Sequence, residues 1–188
     1  MASPRHRRTH ARCGLPVVRG RWVGDRSLLG TRTRDHEDLE IAIASSFFET
    51  LPPRFPEFDV WIPQGERKLG RMSTETLAGE SHQTWAYERA AQVWRFDVFR
   101  EPQDGGTWIC RRDTSIRRPY PEVFDVSADG IPYLRPEICL LFKAKAVRDR
   151  DWADFEAALT RMSPAQRTWL HTALERMHPD HVWISATE

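Results

Sequence analysis

Cysteine is scarce in this 188-residue sequence. Cys13, Cys110 and Cys139 are odd in number and widely spaced. That argues against a disulfide framework or a paired Cys-x-x-Cys metal site, and it suits a reducing compartment. Long apolar runs are missing too. None exceeds about five residues, and the mean hydropathy is −0.60, so no stretch approaches the roughly 20 apolar residues a membrane-spanning helix needs. No internal repeat or low-complexity block interrupts the chain. Acidic residues are absent from residues 1–21, which hold six of the 28 Lys and Arg side chains. The remainder carries 22 basic and 27 acidic residues, a net of −5 hidden beneath the overall +1. This basic stretch lacks the apolar centre of a secretory signal and is poor in serine for a transit peptide, so the cytoplasm is the expected location. Two readings of the stretch stand. It is a solvated, flexible arm over 1–19, or it lies on nucleic acid through counterion release; the first is the more usual fate of a short basic terminus, and nucleic acid is not an expected partner.

What remains is ample for a core, at 40% hydrophobic residues, and the length suits one domain, expected over residues 20–184. The 13 prolines fall mostly between periodic segments, where they break helices and central strands. Leu39, Ile41 and Ile43 recur at period two and predict a strand over 38–44. A helix burying Leu39, Ile43 and Phe47 is the rival, but Ser45 and Ser46 instead suggest a short serine-capped helix beginning there. Segments 57–62, 84–89, 93–99 and 107–112 are rich in aromatic and β-branched residues, and they predict antiparallel strands. Gln103-Asp104-Gly105-Gly106 supplies a turn between the last two.

Beyond residue 135 the period becomes helical. Pro136 suits a first helical position leading into 137–145. Asp151 is placed to cap a second helix with Trp152, Phe155, Leu159 and Met162 on one stripe. Ser163-Pro164 starts a third, carrying Trp169, Leu170, Ala173, Leu174 and Met177. Strands followed by helices indicate an α+β architecture, with helices packed on a mixed or antiparallel sheet and a helical C-terminal part from about 135.

Alternate side chains on a strand share a face, so Asp38 and Glu40 project together, opposite Leu39, Ile41 and Ile43. Two acids on one strand form a partial ligand set for a hard divalent cation such as Mg²⁺, which prefers carboxylate oxygens and keeps waters for substrate phosphates. On the 93–99 strand, Asp97 shares a face with Val93, Arg95 and Phe99, while Trp94, Phe96 and Val98 point the other way. If the two strands are neighbours, three carboxylates converge. The alternative is that such an acidic face is merely solvated, as polar faces of half-buried strands usually are.

Residues 20–44 contain Gly20 and Trp22, then Gly30, Thr33, Arg34, His36 and Asp38 in order. They resemble the signature region of the aminoglycoside 2″-adenylyltransferase-like branch of the nucleotidyltransferase superfamily. There, a Gly-Gly-Trp helix start precedes Thr-Arg-x-His-x-Asp-hydrophobic-Asp. Segments 94–97, 108–119, 130–145 and 154–179 resemble the same family, so the likeness spans roughly residues 14–184. It implies a nucleotidyltransferase-like fold in which Asp38 and Glu40 hold Mg²⁺ against the triphosphate of ATP. Asp97 then binds metal or accepts the proton of an attacking hydroxyl. It also implies nucleotide-binding roles for Gly20, Arg34 and Lys145, with backbone N–H groups of the helix after Gly20 available to phosphate oxygens. The implied activity is transfer of a nucleoside monophosphate, AMP from ATP, to a hydroxyl of a small acceptor, with aminoglycosides as one acceptor class. Two positions depart from the pattern: Arg19 and Arg21 flank a single glycine, and Glu40 replaces the second Asp. These departures suit the alternative of an inactive protein of that fold that binds a nucleotide or a protein partner.

Other candidates carry less. His36 at the turn suits a structural hydrogen bond better than chemistry. Lys143 has the solvated-face alternative common to helix lysines. Arg111, Arg112, Arg117 and Arg118 suit charge balance better than anion binding. His6, His10 and Cys13, or His171, His178 and His181, do not complete a tetrahedral zinc set. Cys139, within an apolar run, is expected to be buried.

Overall fold

The apolar alternation along 39–44 does form a strand, and the rest of the fold is arranged around it. The computed structural model describes residues 18–20, 39–64, 68–73, 81–128 and 130–187. Among these, one mixed sheet of eight strands comprises β1 (Val18–Gly20), β2 (Leu39–Ala44), β3 (Phe58–Pro63), β4 (Leu69–Arg71), β5 (Gln83–Glu88), β6 (Val93–Glu101), β10 (Phe124–Val126) and β11 (Pro132–Leu134). Their spatial order is β10-β11-β1-β2-β6-β5-β3-β4. β2 and β6 are parallel neighbours, whereas β6, β5, β3 and β4 pair antiparallel in succession. A second sheet joins β7 (Gln103–Asp104), β8 (Thr107–Ile109) and β9 (Arg117–Pro119). Gly105, at φ +54°, takes the left-handed conformation its hairpin turn requires.

β2 is central because it is buried on both sides. Ile41 and Ile43 pack with Phe48, Leu51 and Val98 under the short 3-10 turns that follow. Ala42 faces a larger core containing Trp108, Leu134, Ile138, Leu141, Phe155, Leu170, Leu174 and Trp183. Each large aliphatic side chain so buried contributes about 1.5–3 kcal/mol. The helical part consists of α1 (Pro136–Lys143), α2 (Asp149–Leu159) and α3 (Pro164–Met177). Pro136 opens α1 as expected, because its missing N–H is one a first-turn residue does not need. Ser163 caps α3 in a reciprocal pair with Gln166. Cys139 is buried. The architecture is α+β, with helices against a mixed sheet.

Several local expectations are corrected. The turn Ser45–Thr50 is a 3-10 helix with Ala44 at its N-cap, and no serine side chain caps it. α1 ends at Lys143, two residues before the expected limit. Asp151 is the third residue of α2, not its cap: Arg148 holds the cap position, and its backbone N–H donates to Asp151 at 3.0 Å. The 107–112 segment ends as a strand at Ile109 and belongs to the small sheet. In β6 an irregularity opposite Ala86 and Tyr87 pairs Phe96 with Ala86 but Trp94 with Tyr87. The extra residue reverses the alternation, so Trp94 packs edge-on to Trp85 and Tyr87 and does not follow Phe96. Gly20 is a strand residue, opposite Glu40. The helix expected after it, and Arg34, His36 and Asp38, lie outside the described residues, as do His6, His10 and Cys13.

Candidate active site

Parallel pairing of β2 with β6 sets Glu40 directly opposite Asp97, Ala42 opposite Phe99, and Ala44 opposite Glu101. Strand neighbours lie about 4.8 Å apart and matched positions share a face, so two of the three sequence-selected acids stand side by side. Glu40 is only 5% exposed, which removes it from the solvated-face alternative. Asp97 accepts a hydrogen bond at 2.6 Å from Nε2 of Gln83, two positions along β5 from Asp97's own cross-strand partner, Trp85. That contact fixes one carboxylate oxygen on the Glu40 face.

Glu40 and Gln83 line a cleft of about 310 Å³ between the sheet and the end of α1. Its lining mixes Glu101 and Asp151 with a larger set of basic side chains. Lys145, just past α1, is exposed and lines the cleft, as do Arg148 and Arg112. Lys143 also lines it, but its side chain is almost fully buried and its ammonium is paired with Asp151 at 3.2 Å and with Asp154. Arg111 forms an ion pair with buried Glu101, whose other oxygen accepts from the Trp108 indole at 3.0 Å. Its guanidinium lies 4.3 Å from the Phe142 ring centre, and Arg112 approaches the same ring at 5.0 Å. Arg112 donates to the Phe142 carbonyl at 2.8 Å. Burial, then the charge of Arg111, lowers its pKa from the ordinary arginine value, so a bound anion would relieve an unfavourable local field. Arg118 balances Glu137, at 2.7 Å and wholly buried, and Arg117 approaches Asp104 at 3.9 Å. Among these arginines, Arg112 and Arg111 face the cleft.

Gln83, Glu101 and Arg148 escaped the sequence reading. Gln83 lies one residue before the strand expected over 84–89, and only the β5–β6 register reveals that it shares Asp97's face. The C-terminal histidines do not form a centre. His171 contacts Thr187 and Glu175, while burial lowers the pKa values of His178 and His181. No group of three or more His, Cys, Asp or Glu suited to a metal ion occurs among the described residues, which exclude Asp38. No described helix is long and apolar enough to cross a membrane.

No protein-family model matches the chain, and no curated protein does. Among solved structures, it is similar to the lincosamide antibiotic adenylyltransferase LnuA in its lincomycin-bound form. That likeness has a TM-score of 0.53 at 13% identity, covering 78% of this chain and 87% of the other. The α+β arrangement described above is therefore nucleotidyltransferase-like.

Proposed function

We propose that the chain is a Mg²⁺-dependent nucleotidyltransferase that moves a nucleoside monophosphate, AMP from ATP, to a hydroxyl of a small acceptor. The observation carrying this reading is the placement of Glu40 beside Asp97, with Glu40 and Asp97's partner Gln83 lining a cleft that Lys145, Arg148 and Arg112 also line. Likeness to an antibiotic adenylyltransferase agrees with it. It favours an antibiotic-like acceptor without selecting the aminoglycosides.

The carboxylates fit a hard divalent ion: both offer oxygen donors, on matched positions of adjacent strands, and Asp38 stands two residues before Glu40 in the sequence. Bound there, Mg²⁺ supplies charge neutralisation at the phosphates. The protein's own part is positioning. Lys145, Arg148 and Arg112 attract the phosphate oxygens in the cleft. The acceptor oxygen attacks the α-phosphorus, the bond from that phosphorus to the pyrophosphate oxygen breaks, and pyrophosphate departs toward these basic side chains. Asp97, held by Gln83, accepts the proton released by the hydroxyl.

Calorimetry of ATP binding with and without Mg²⁺, followed by pyrophosphate release with lincomycin and aminoglycosides as acceptors, tests the reading. Glu40→Gln is expected to remove the Mg²⁺-dependent part of binding. Asp97→Asn should weaken the Mg²⁺-dependent part of binding less than Glu40→Gln does while cutting turnover by about 10²–10⁴. ATP binding that ignores both Mg²⁺ and Glu40 overturns the assignment, and Mg²⁺-dependent binding without turnover reduces it to a nucleotide-binding role.

A further inference from the structure

The row of the sheet that holds Glu40 and Asp97 does not end there. Register carries it across two more strands, from Asp97 to Trp85 on β5 and from Trp85 to Trp61 on β3. Tyr87, two residues beyond Trp85, and Trp94, brought to this face by the β6 irregularity, complete a group of rings. Trp94 lies 5.7 Å from Trp85 and 5.0 Å from Tyr87, centre to centre, in edge-to-face contacts. Trp94 is 49% exposed, unusual for so large an apolar ring. The indole N–H groups of Trp85 and Trp61 are buried and have no hydrogen-bond partner among the described residues, a costly state for a donor.

We infer that this aromatic group is the acceptor subsite, and that it takes a neutral or cationic ring compound whose apolar face stacks on Trp94 and Trp85 while its hydroxyl reaches Asp97. The inference rests on the proposed transferase reading and supplies its acceptor class. Three features favour an acceptor over the nucleotide base. In-line displacement puts the attacking oxygen opposite the leaving pyrophosphate, and along the strands Tyr87 and Trp94 lie on one side of the Glu40–Asp97 row while the cleft residues Ala42, Phe99 and Gln83 lie on the other. Trp85 is the direct cross-strand neighbour of Asp97, so a ring resting on it has its edge within reach of the group that takes the proton. The electron-rich ring faces, beside two carboxylates, attract positive charge and repel anions, whereas the nucleotide is a polyanion.

The test uses the full chain with ¹⁵N-labelled tryptophan indoles, assigned by single Trp→Phe variants, and titrates lincomycin, kanamycin and Mg-ATP separately. Lincomycin or kanamycin is expected to shift the Trp85 and Trp94 indole signals, with or without nucleotide. Trp94→Ala, a change at an exposed ring, should raise the acceptor KM about tenfold with kcat altered less than threefold and ATP affinity unchanged, and Trp94→Phe should recover most of the loss. The inference is overturned if neither compound moves these signals, if Mg-ATP alone moves them, or if Trp94→Ala leaves KM unchanged. Failure of Mg²⁺-dependent ATP binding with the acceptor shifts intact would instead sink the transferase reading and leave a ring-binding surface.

Discussion

Single residues in this protein are held by partners drawn from distant parts of the chain. Glu137 is fully buried in the first turn of α1, yet it accepts from Arg118 at 2.7 Å and from Gln166 at 2.8 Å. One carboxylate thereby joins the small sheet to two helices. Asp113 shows the same economy nearer the surface. Hydrogen bonds from the Ser115 hydroxyl and backbone, then from Arg176, hold its pKa at about 2, below the ordinary 3.8. A folded value below the unfolded one means that this stabilisation is present above the ordinary value and is lost as pH falls through about 2. Asp113→Asn should therefore flatten part of the acid limb of a plot of thermal midpoint against pH while leaving the neutral region less affected. An unchanged acid limb would count against these contacts.

At the scale of elements, the telling feature is the β5–β6 hairpin. Its turn contains Gln92 at φ +55°, a left-handed conformation that costs a side-chain-bearing residue about 1 kcal/mol or more. Gln92→Gly should raise stability by about 0.5–1 kcal/mol, read as a higher urea midpoint with unchanged slope. A lower midpoint would show that the Gln92 side chain stabilises the turn by more than its backbone strain costs. The adjoining irregularity in pairing is what sequence alternation could not anticipate. Period two correctly separates Asp97 and Phe99 from Phe96 and Val98, but it places Trp94 on the wrong face because one added residue resets the count. Helix starts were more legible. Pro136 and Ser163 act through local chemistry, whereas Asp151 is displaced from the cap because Arg148 and Asp149 extend α2 backward.

Across the whole molecule, two cores lie on opposite faces of β2, and the larger extends to the chain's last described turns. Trp183 is fully buried, stacked on Phe155 at 4.4 Å with the rings 3° from parallel. Trp183→Ala should cost about 3–5 kcal/mol by leaving a cavity. Trp183→Phe should cost much less, since the indole N–H has no hydrogen-bond partner to lose among the described residues. Chemical denaturation of both variants checks this, and equal losses would refute the packing account. Strand and helix types were readable because each depends on neighbours a few residues away. The adjacency of β2 and β6 was only conditional in the sequence, because the parallel pairing joins segments separated by nearly fifty residues. The cleft's mixed lining was less legible still. Gln83, Glu101, Arg112 and Arg148 come from different elements, and no local pattern marks them as one surface.

The alignment of β2 against β6 has a consequence for how such a chain can vary. Residues gained or lost in the loops that join β2 to β3 or β4 to β5 change a connector's length and leave the acids facing each other. A single-residue slip between the two strands would turn one carboxylate to the back of the sheet and bury it among Phe48, Leu51 and Val98. Freedom in spacing and rigidity in phase therefore coexist within a few residues, and it is the phase that a mutational scan by insertion would find intolerant.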